Sequence, residues 1–243
     1  MEFIKRNWRG ILVCLVIAIL SWILGKLFPI AGGAVIAIIA GMVITMFWND
    51  KGKAEAGIKW TSKLILQAAV VLLGFGMNLA VIFKTGKQSL PIIICTITTS
   101  LVIAWILQRL LKVHTNTAIL VGVGSSICGG SAIAATAPVI AADDDEIAQS
   151  IAVIFFFNVL AAIFFPILGK AIGFDTVHGE AFGIFAGTAI NDTSSVTAAA
   201  STWDSMWNLG SETLNKAVTV KLTRTLAIIP VTFGLSLIQA KKV

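Results

Sequence analysis

Gly122-Val-Gly-Ser-Ser-Ile-Cys-Gly-Gly-Ser131 lies in apolar sequence long enough to cross a bilayer. It is flanked by Thr117-Ala-Ile-Leu-Val121 and Ala132-Ile-Ala-Ala-Thr-Ala-Pro-Val-Ile-Ala141. Four glycines and three serines in ten residues are poor material for a helix interior. A helix that unwinds in mid-membrane has a use for them, because its freed N–H and C=O groups can face a ligand or a water-filled cavity. The stretch predicts two half-helices meeting at a break near Cys128-Gly129-Gly130. The alternative, a small-residue surface for close helix packing, stays open on this stretch alone.

A second stretch has the same build: Gly187-Thr-Ala-Ile-Asn-Asp-Thr-Ser-Ser-Val-Thr-Ala-Ala-Ala200. An offset of 64 carries Pro166 onto Pro230, Ser131 onto Ser195, Ala134 onto Ala198 and Ala135 onto Ala199. The same offset sets Cys128-Gly129-Gly130 on Asp192-Thr193-Ser194. Paired, interrupted hydrophobic segments suggest an internal duplication and point to a transporter binding site.

Composition fixes the solvent. The chain has 243 residues, 57% hydrophobic and 12% charged, about half the ~25% charge of soluble domains. With apolar runs of spanning length, this predicts an all-α polytopic membrane protein of about eight segments, two of them broken, folded as one transmembrane domain over residues 1–243. The net charge of +6 sits mostly in short loops, where it reports orientation and not a nucleic-acid partner. Cys14, Cys95 and Cys128 have no paired spacing, so neither a disulfide framework nor a metal site is expected. Lys5, Arg6 and Arg9 before Ile11–Leu24 imitate a signal peptide, but no small-x-small cleavage site follows. We read a first transmembrane helix with its basic flank in the cytoplasm.

The expected segments are Ile11–Phe28, Ala34–Trp48, Leu64–Phe83, a helix from Pro91 to Leu111, broken Thr117–Ala142, Ile147–Leu168, broken Phe182–Ala200, and Leu214–Ile238. Lys84–Ser89 reads as a turn. If every segment spans, inside loops carry twelve basic residues and outside loops four, which favours a cytoplasmic N-terminus. That count puts both Lys84–Ser89 and Asp143–Glu146 outside. The acidic cluster also suits the start of the following helix. Trp8, Trp48, Trp60, Trp203 and Trp207 read as interfacial belt residues, and His114 and His178 as solvated.

Lys221 and Arg224 fall within the last segment, on one face. Asp192 is the one acidic residue well inside a spanning segment. Charges there are costly and point to function, the alternative being snorkelling or a static pair of Arg224 with Asp192. If the breaks face each other, each second half-helix starts at mid-membrane and offers N–H groups to an anion. Gly129, Gly130 and Ser131 would serve one site, and Thr193, Ser194 and Ser195 the other. Ser125, Ser126, Cys128, Asn191 and Asn158 would line the same space. Two cations with one aspartate suit an anion better than sodium. Gly124–Ile127 and Thr188–Ile190 could still bind a cation, so coupling to protons or sodium stays open, with Asp192 the candidate carrier.

Gly124-Ser-Ser-Ile-Cys-Gly-Gly-Ser-Ala-Ile-Ala-Ala-Thr-Ala-Pro-Val-Ile140, Ala186-Gly-Thr-Ala-Ile-Asn-Asp-Thr-Ser-Ser195 and Lys221-Leu-Thr-Arg224 resemble blocks of the YeiH-like sulfate exporter family of bacterial inner-membrane proteins. Leu73-Gly-Phe-Gly-Met-Asn78, then Pro91, then the Cys-Gly-Gly break, is distantly similar to the bile acid/arsenite/riboflavin transporter superfamily. The resemblance implies an inverted-repeat bundle in the inner membrane that transports a small, sulfate-like anion. It also implies a sequence that stops short of the family's full length at its C-terminus. A coupled cation antiporter and a non-transporting scaffold are the alternatives, and a homodimer is open. No nucleophile elbow, phosphate loop or histidine–carboxylate motif appears, so neither an enzyme nor a cofactor is expected.

Overall fold

The computed structural model describes residues 2–28, 33–48, 52–65, 68, 72 and 79–240. Most of the helix expected over Leu64–Phe83, with Gln67, Gly74, Gly76 and Asn78, lies outside the described residues. Those described are helical, with no strand. The helices are α1 (Glu2–Leu27), α2 (Gly33–Phe47), α3 (Glu55–Trp60), α4 (Leu79–Leu111), α5 (Thr115–Ser126), α6 (Gly130–Thr136), α7 (Asp144–Ile172), α8 (Glu180–Ala189), α9 (Thr193–Trp207), α10 (Glu212–Thr225) and α11 (Ile228–Ala240). Four stretches among the described residues are long and apolar enough to cross a membrane: Asn7–Leu27, Phe83–Leu111, Asp144–Ile172 and Glu212–Ile238. Gly33–Phe47 is apolar but shorter.

α1 packs on α2 and on α3. The contact with α3 is main chain on main chain: a Cβ on Gly10 would lie 2.7 Å from the carbonyl carbon of Gly57. α4 corrects one expectation, because Lys84–Ser89 is helical and continuous with the rest of α4 through Pro91. Packing explains it. Thr85 and Ser89 are buried, Ser89 Oγ donates to Thr85 O at 2.8 Å, and Gly86 faces Thr223 of α10. Proline removes one ladder bond there without ending the helix.

α7 is the axis of the arrangement. Its start is fixed by a capping box: Glu146 Oε2 accepts from Asp143 N at 3.0 Å while the Asp143 side chain accepts from the backbone of the first turn. Its end is fixed by Gly173 in the left-handed region, φ 88°. Its 29 residues give about 43 Å of rise, enough to cross a bilayer with its headgroups.

The two broken segments do not cross beside it. α5 enters next to the start of α7, with His114 bonded to Glu146 and Asn116 Nδ2 donating to Glu146 Oε2 at 3.1 Å. After the break, the backbone runs back along α5 to that same end. Leu120 before the break packs with Ile133, Ala137 and Ile140 after it. The second segment does the same from the other end of α7. Phe182 near the start of α8 stacks on Trp203 near the end of α9, centroids 4.2 Å apart. Glu180 is paired with Lys216 of α10, and Trp207 lies 5.6 Å from the Lys170 ammonium near the end of α7. Each segment is therefore a hairpin, and the two enter from opposite ends. Trp203, expected at the interface, is fully buried in the second hairpin.

α4 runs antiparallel to α5, with Ser100 Oγ 3.0 Å from Ser125 Oγ and Gln108 Nε2 donating to Thr115 Oγ1 at 3.0 Å. At its other end, Gln88 Oε1 accepts from Lys216 Nζ at 3.2 Å. Lys84–Ser89 and Asp143–Glu146 are thus at opposite ends of the bundle, not on the same side as the spanning count required.

Candidate functional site where the two hairpins meet

Both breaks lie beside the middle of α7. At the first, α5 ends at Ser126, and Gly129 adopts φ 70°, ψ −127°, a backbone open to glycine alone. At the second, α8 ends at Ala189 and Asp192 begins α9. Asn158, halfway along α7, joins them: its Oδ1 accepts from Asn191 N at 2.9 Å. A Cβ on Gly129 would lie 3.6 Å from Asn158 Nδ2.

The last carbonyls of α5 and α8 have no partners within their helices. Two side chains of α10 supply them. Lys221 Nζ donates to Ile127 O at 2.7 Å and Ile190 O at 3.1 Å. Arg224 donates through Nε to Ser126 O at 2.7 Å, through Nη2 to Ser125 O at 2.9 Å and through Nη1 to Thr188 O. Five charge-assisted bonds thus tie one helix to both hairpin tips. Lys221 is 0% exposed and Arg224 2%. Neither makes an ion pair within 4 Å with a carboxylate among the described residues.

The static pair of Arg224 with Asp192, the alternative reading of these charges, is therefore not formed among the described contacts. Asp192 caps α9, its Oδ2 accepting from Ser195 N at 3.1 Å, from Ser194 Oγ and from Ser195 Oγ at 3.4 Å. That carboxylate holds the helix N-terminus where Thr193, Ser194 and Ser195 were expected to receive an anion, because an aspartate at this position satisfies the free amides itself. Gly130 and Ser131 open α6, only seven residues long. Ser131 is exposed and Cys128 is buried beside the clamp. Ser125 and Ser126 turn their hydroxyls back to Gly122 O and Val123 O at 3.2 and 3.1 Å, so their contribution to the clamp is main chain.

Three further contacts were not expected from the sequence. Asp204, buried at the end of α9, accepts from Thr213 N at 3.0 Å and Leu214 N at 2.9 Å and so caps α10. The Lys216 ammonium beside Glu180 holds that carboxyl below its ordinary range. His114 is bonded to Glu146 and so is not merely solvated. Asp204 lies inside α9, eight residues ahead of α10, and so gives no capping signal in the sequence; the partners of Lys221 and Arg224 are carbonyls that every residue carries. Among the described residues no group of His, Cys, Asp and Glu is arranged to hold a metal.

Two hairpins entering an apolar helical bundle from opposite ends, with buried cations at their tips, define a helical membrane protein. The protein belongs to the family described as conserved hypothetical protein 698, whose model matches residues 9–243. It is 58% identical over 237 residues to the UPF0324 membrane protein SpyM3_0740 of Streptococcus pyogenes, covering 98% of this chain and 68% of the relative. It is 56% identical to the UPF0324 membrane protein FN0533 of Fusobacterium nucleatum over 233 residues, 96% of this chain and 66% of the relative. A UPF0324 membrane protein of Streptococcus pneumoniae is 55% identical over 242 residues, 100% and 70% of the two chains. No solved structure matches.

Proposed function

We propose that this protein belongs to a secondary transporter of the bacterial inner membrane that moves a small anion through the space between the two hairpin tips. One observation carries the reading: Lys221 and Arg224 are buried at the tips and bonded to carbonyls, with no ion pair to a carboxylate among the described residues. A buried cation without a counter-ion is expensive. Two half-helix C-termini offer roughly −0.5 charge each and offset about one of the two cations. The Asp192 carboxylate is engaged by the N-terminus of α9, so about one positive charge is left at the tips.

The arrangement also supports an inverted repeat. α4 with the first hairpin and α7 with the second are each a long helix followed by a broken hairpin, running in opposite directions. Broken helices at a repeat interface are where such transporters hold substrate. The sulfate-like class comes from the family resemblance alone. Asp192, only partly buried beside the tips, supports a second reading in which proton movement is coupled to the anion.

The test is flux. The full-length protein reconstituted in proteoliposomes, with radiolabelled sulfate and a panel of small organic anions at neutral pH, is expected to give protein-dependent, saturable uptake of at least one anion. Folded protein that moves none of them would leave a non-transporting scaffold as the better reading.

A further inference from the structure

Ile127 and Ile190 cap the ends of α5 and α8. Their N–H groups close the last turns on Val123 O and Ala186 O, and their own carbonyls fall beyond the helices. Each such end carries roughly −0.5 charge, and half-helix C-termini with unwound carbonyls are what broken-helix transporters use to hold sodium. Here the two ends converge on one atom: Lys221 Nζ lies 2.7 Å from Ile127 O and 3.1 Å from Ile190 O, ordinary ammonium–carbonyl distances. Lys221 is fully buried, so its charge does not snorkel to water. Arg224 takes the neighbouring carbonyls of Ser125, Ser126 and Thr188, and the Asp192 carboxylate is engaged at the start of α9.

We propose that this is a main-chain site for one monovalent cation and that Lys221 is its resident occupant, so that no free sodium or potassium ion binds between the tips. The charge matches: two half-helix ends together carry about one negative charge, which one ammonium balances and a divalent ion would exceed. A free ion would find all five oxygens taken and two fixed cations beside it, and like charges repel strongly away from water. Covalent attachment favours the ammonium further, because it loses no translational freedom on entering the site. The consequence for coupling rests on the transporter reading above: the anion crosses without a sodium gradient.

Thermal unfolding of the purified full-length protein in detergent tests this. Wild-type melting is expected to be the same in sodium, potassium and tetramethylammonium chloride at equal ionic strength, and radiolabelled sodium is expected to show no saturable binding. Lys221→Ala removes the atoms from Cγ to Nζ, which have the outline of n-propylammonium, and small ligands do enter buried engineered cavities. Propylammonium at about ten times its dissociation constant should raise the melting temperature of that variant by about 3–6 °C. Tetramethylammonium, which has no N–H to donate, should not. Lys221→Met fills the same space with an uncharged chain and should not respond to the amine, nor should the wild type. Saturable sodium binding or sodium-specific stabilisation of the wild type would overturn the inference whether or not Lys221→Ala folds. So would a folded Lys221→Ala that ignores propylammonium. Sodium-driven anion uptake in proteoliposomes would sink this inference and leave the transporter standing, whereas absence of uptake with the amine rescue intact would sink only the transporter.

Discussion

The carbonyl oxygens of Ile127 and Ile190 meet on one ammonium, that of Lys221, at 2.7 and 3.1 Å. The two isoleucines hold matching places in the two breaks, 63 residues apart. Ser125 and Thr188, also 63 apart, have their carbonyls on one guanidinium, that of Arg224. The geometric correspondence is thus one residue shorter than the offset of 64 that aligns the flanking prolines.

Because the clamp runs from cation to carbonyl, its loss should not be rescued by removing Asp192. Lys221→Met frees two buried carbonyls, each costing about 1–3 kcal/mol when unpaired, and should lower the melting temperature of the detergent-purified protein. Arg224→Lys cannot reach three carbonyls with a single ammonium and should lower it too. Adding Asp192→Asn to either variant should leave the deficit or deepen it, since the α9 cap is also weakened. Restoration of wild-type melting by Asp192→Asn would mean that the aspartate and the cations form a pair after all.

Adjacent glycines at the first break should respond differently to the same change. Gly129→Ala forces a side chain into a glycine-only backbone, with its Cβ 3.2 Å from Ile154 Cγ2, at about 1–3 kcal/mol. Gly130 lies in ordinary helix, and a Cβ there would meet Phe155 at 3.4 Å, so Gly130→Ala should be near neutral. Chemical denaturation of both variants checks this. Equal costs would mean that the break does not have the geometry described.

Sidedness separates hairpins from crossings. With cysteines placed singly at Lys87 and Asp144, in a variant whose Cys14, Cys95 and Cys128 are replaced by alanine, an impermeant maleimide should reach only one of them in intact cells. With a cytoplasmic N-terminus the reactive position is Lys87, and Asp144 should label only after permeabilisation. Labelling of both from outside would restore the picture of two full crossings.

Much of this architecture was legible in the residues. Cys128-Gly129-Gly130 and Asn191-Asp192 mark real interruptions, because glycine and capping residues do not sit idle in apolar helices. Asp143 with Glu146 marked the start of α7. Direction was not legible: Thr117–Ala142 is long enough to cross, and hydropathy is the same for a segment that crosses and one that turns back. The turn-back rests on tertiary contacts such as Leu120 with Ala137 and His114 with Glu146. Trp203 shows the same limit. An aromatic near a segment end suits the interface, and only the stacking of Phe182 on it shows that the end is buried. Lys221 and Arg224 were recognisable as unusual from depth alone, but their partners carry no side-chain signature.

Main-chain ligation changes what kinds of genetic alteration the centre can absorb. Replacing the side chain of Ser125, Ser126, Ile127, Thr188 or Ile190 leaves each carbonyl in place, so point substitutions there keep the acceptors that the two cations use. An insertion or deletion of one residue in either break is another matter, because it turns the following helix by about 100° and carries the oxygens off the cations. Deep mutational scanning should therefore find these five positions permissive to residues of similar bulk, while single-codon length changes across 125–129 and 188–192 abolish the folded protein.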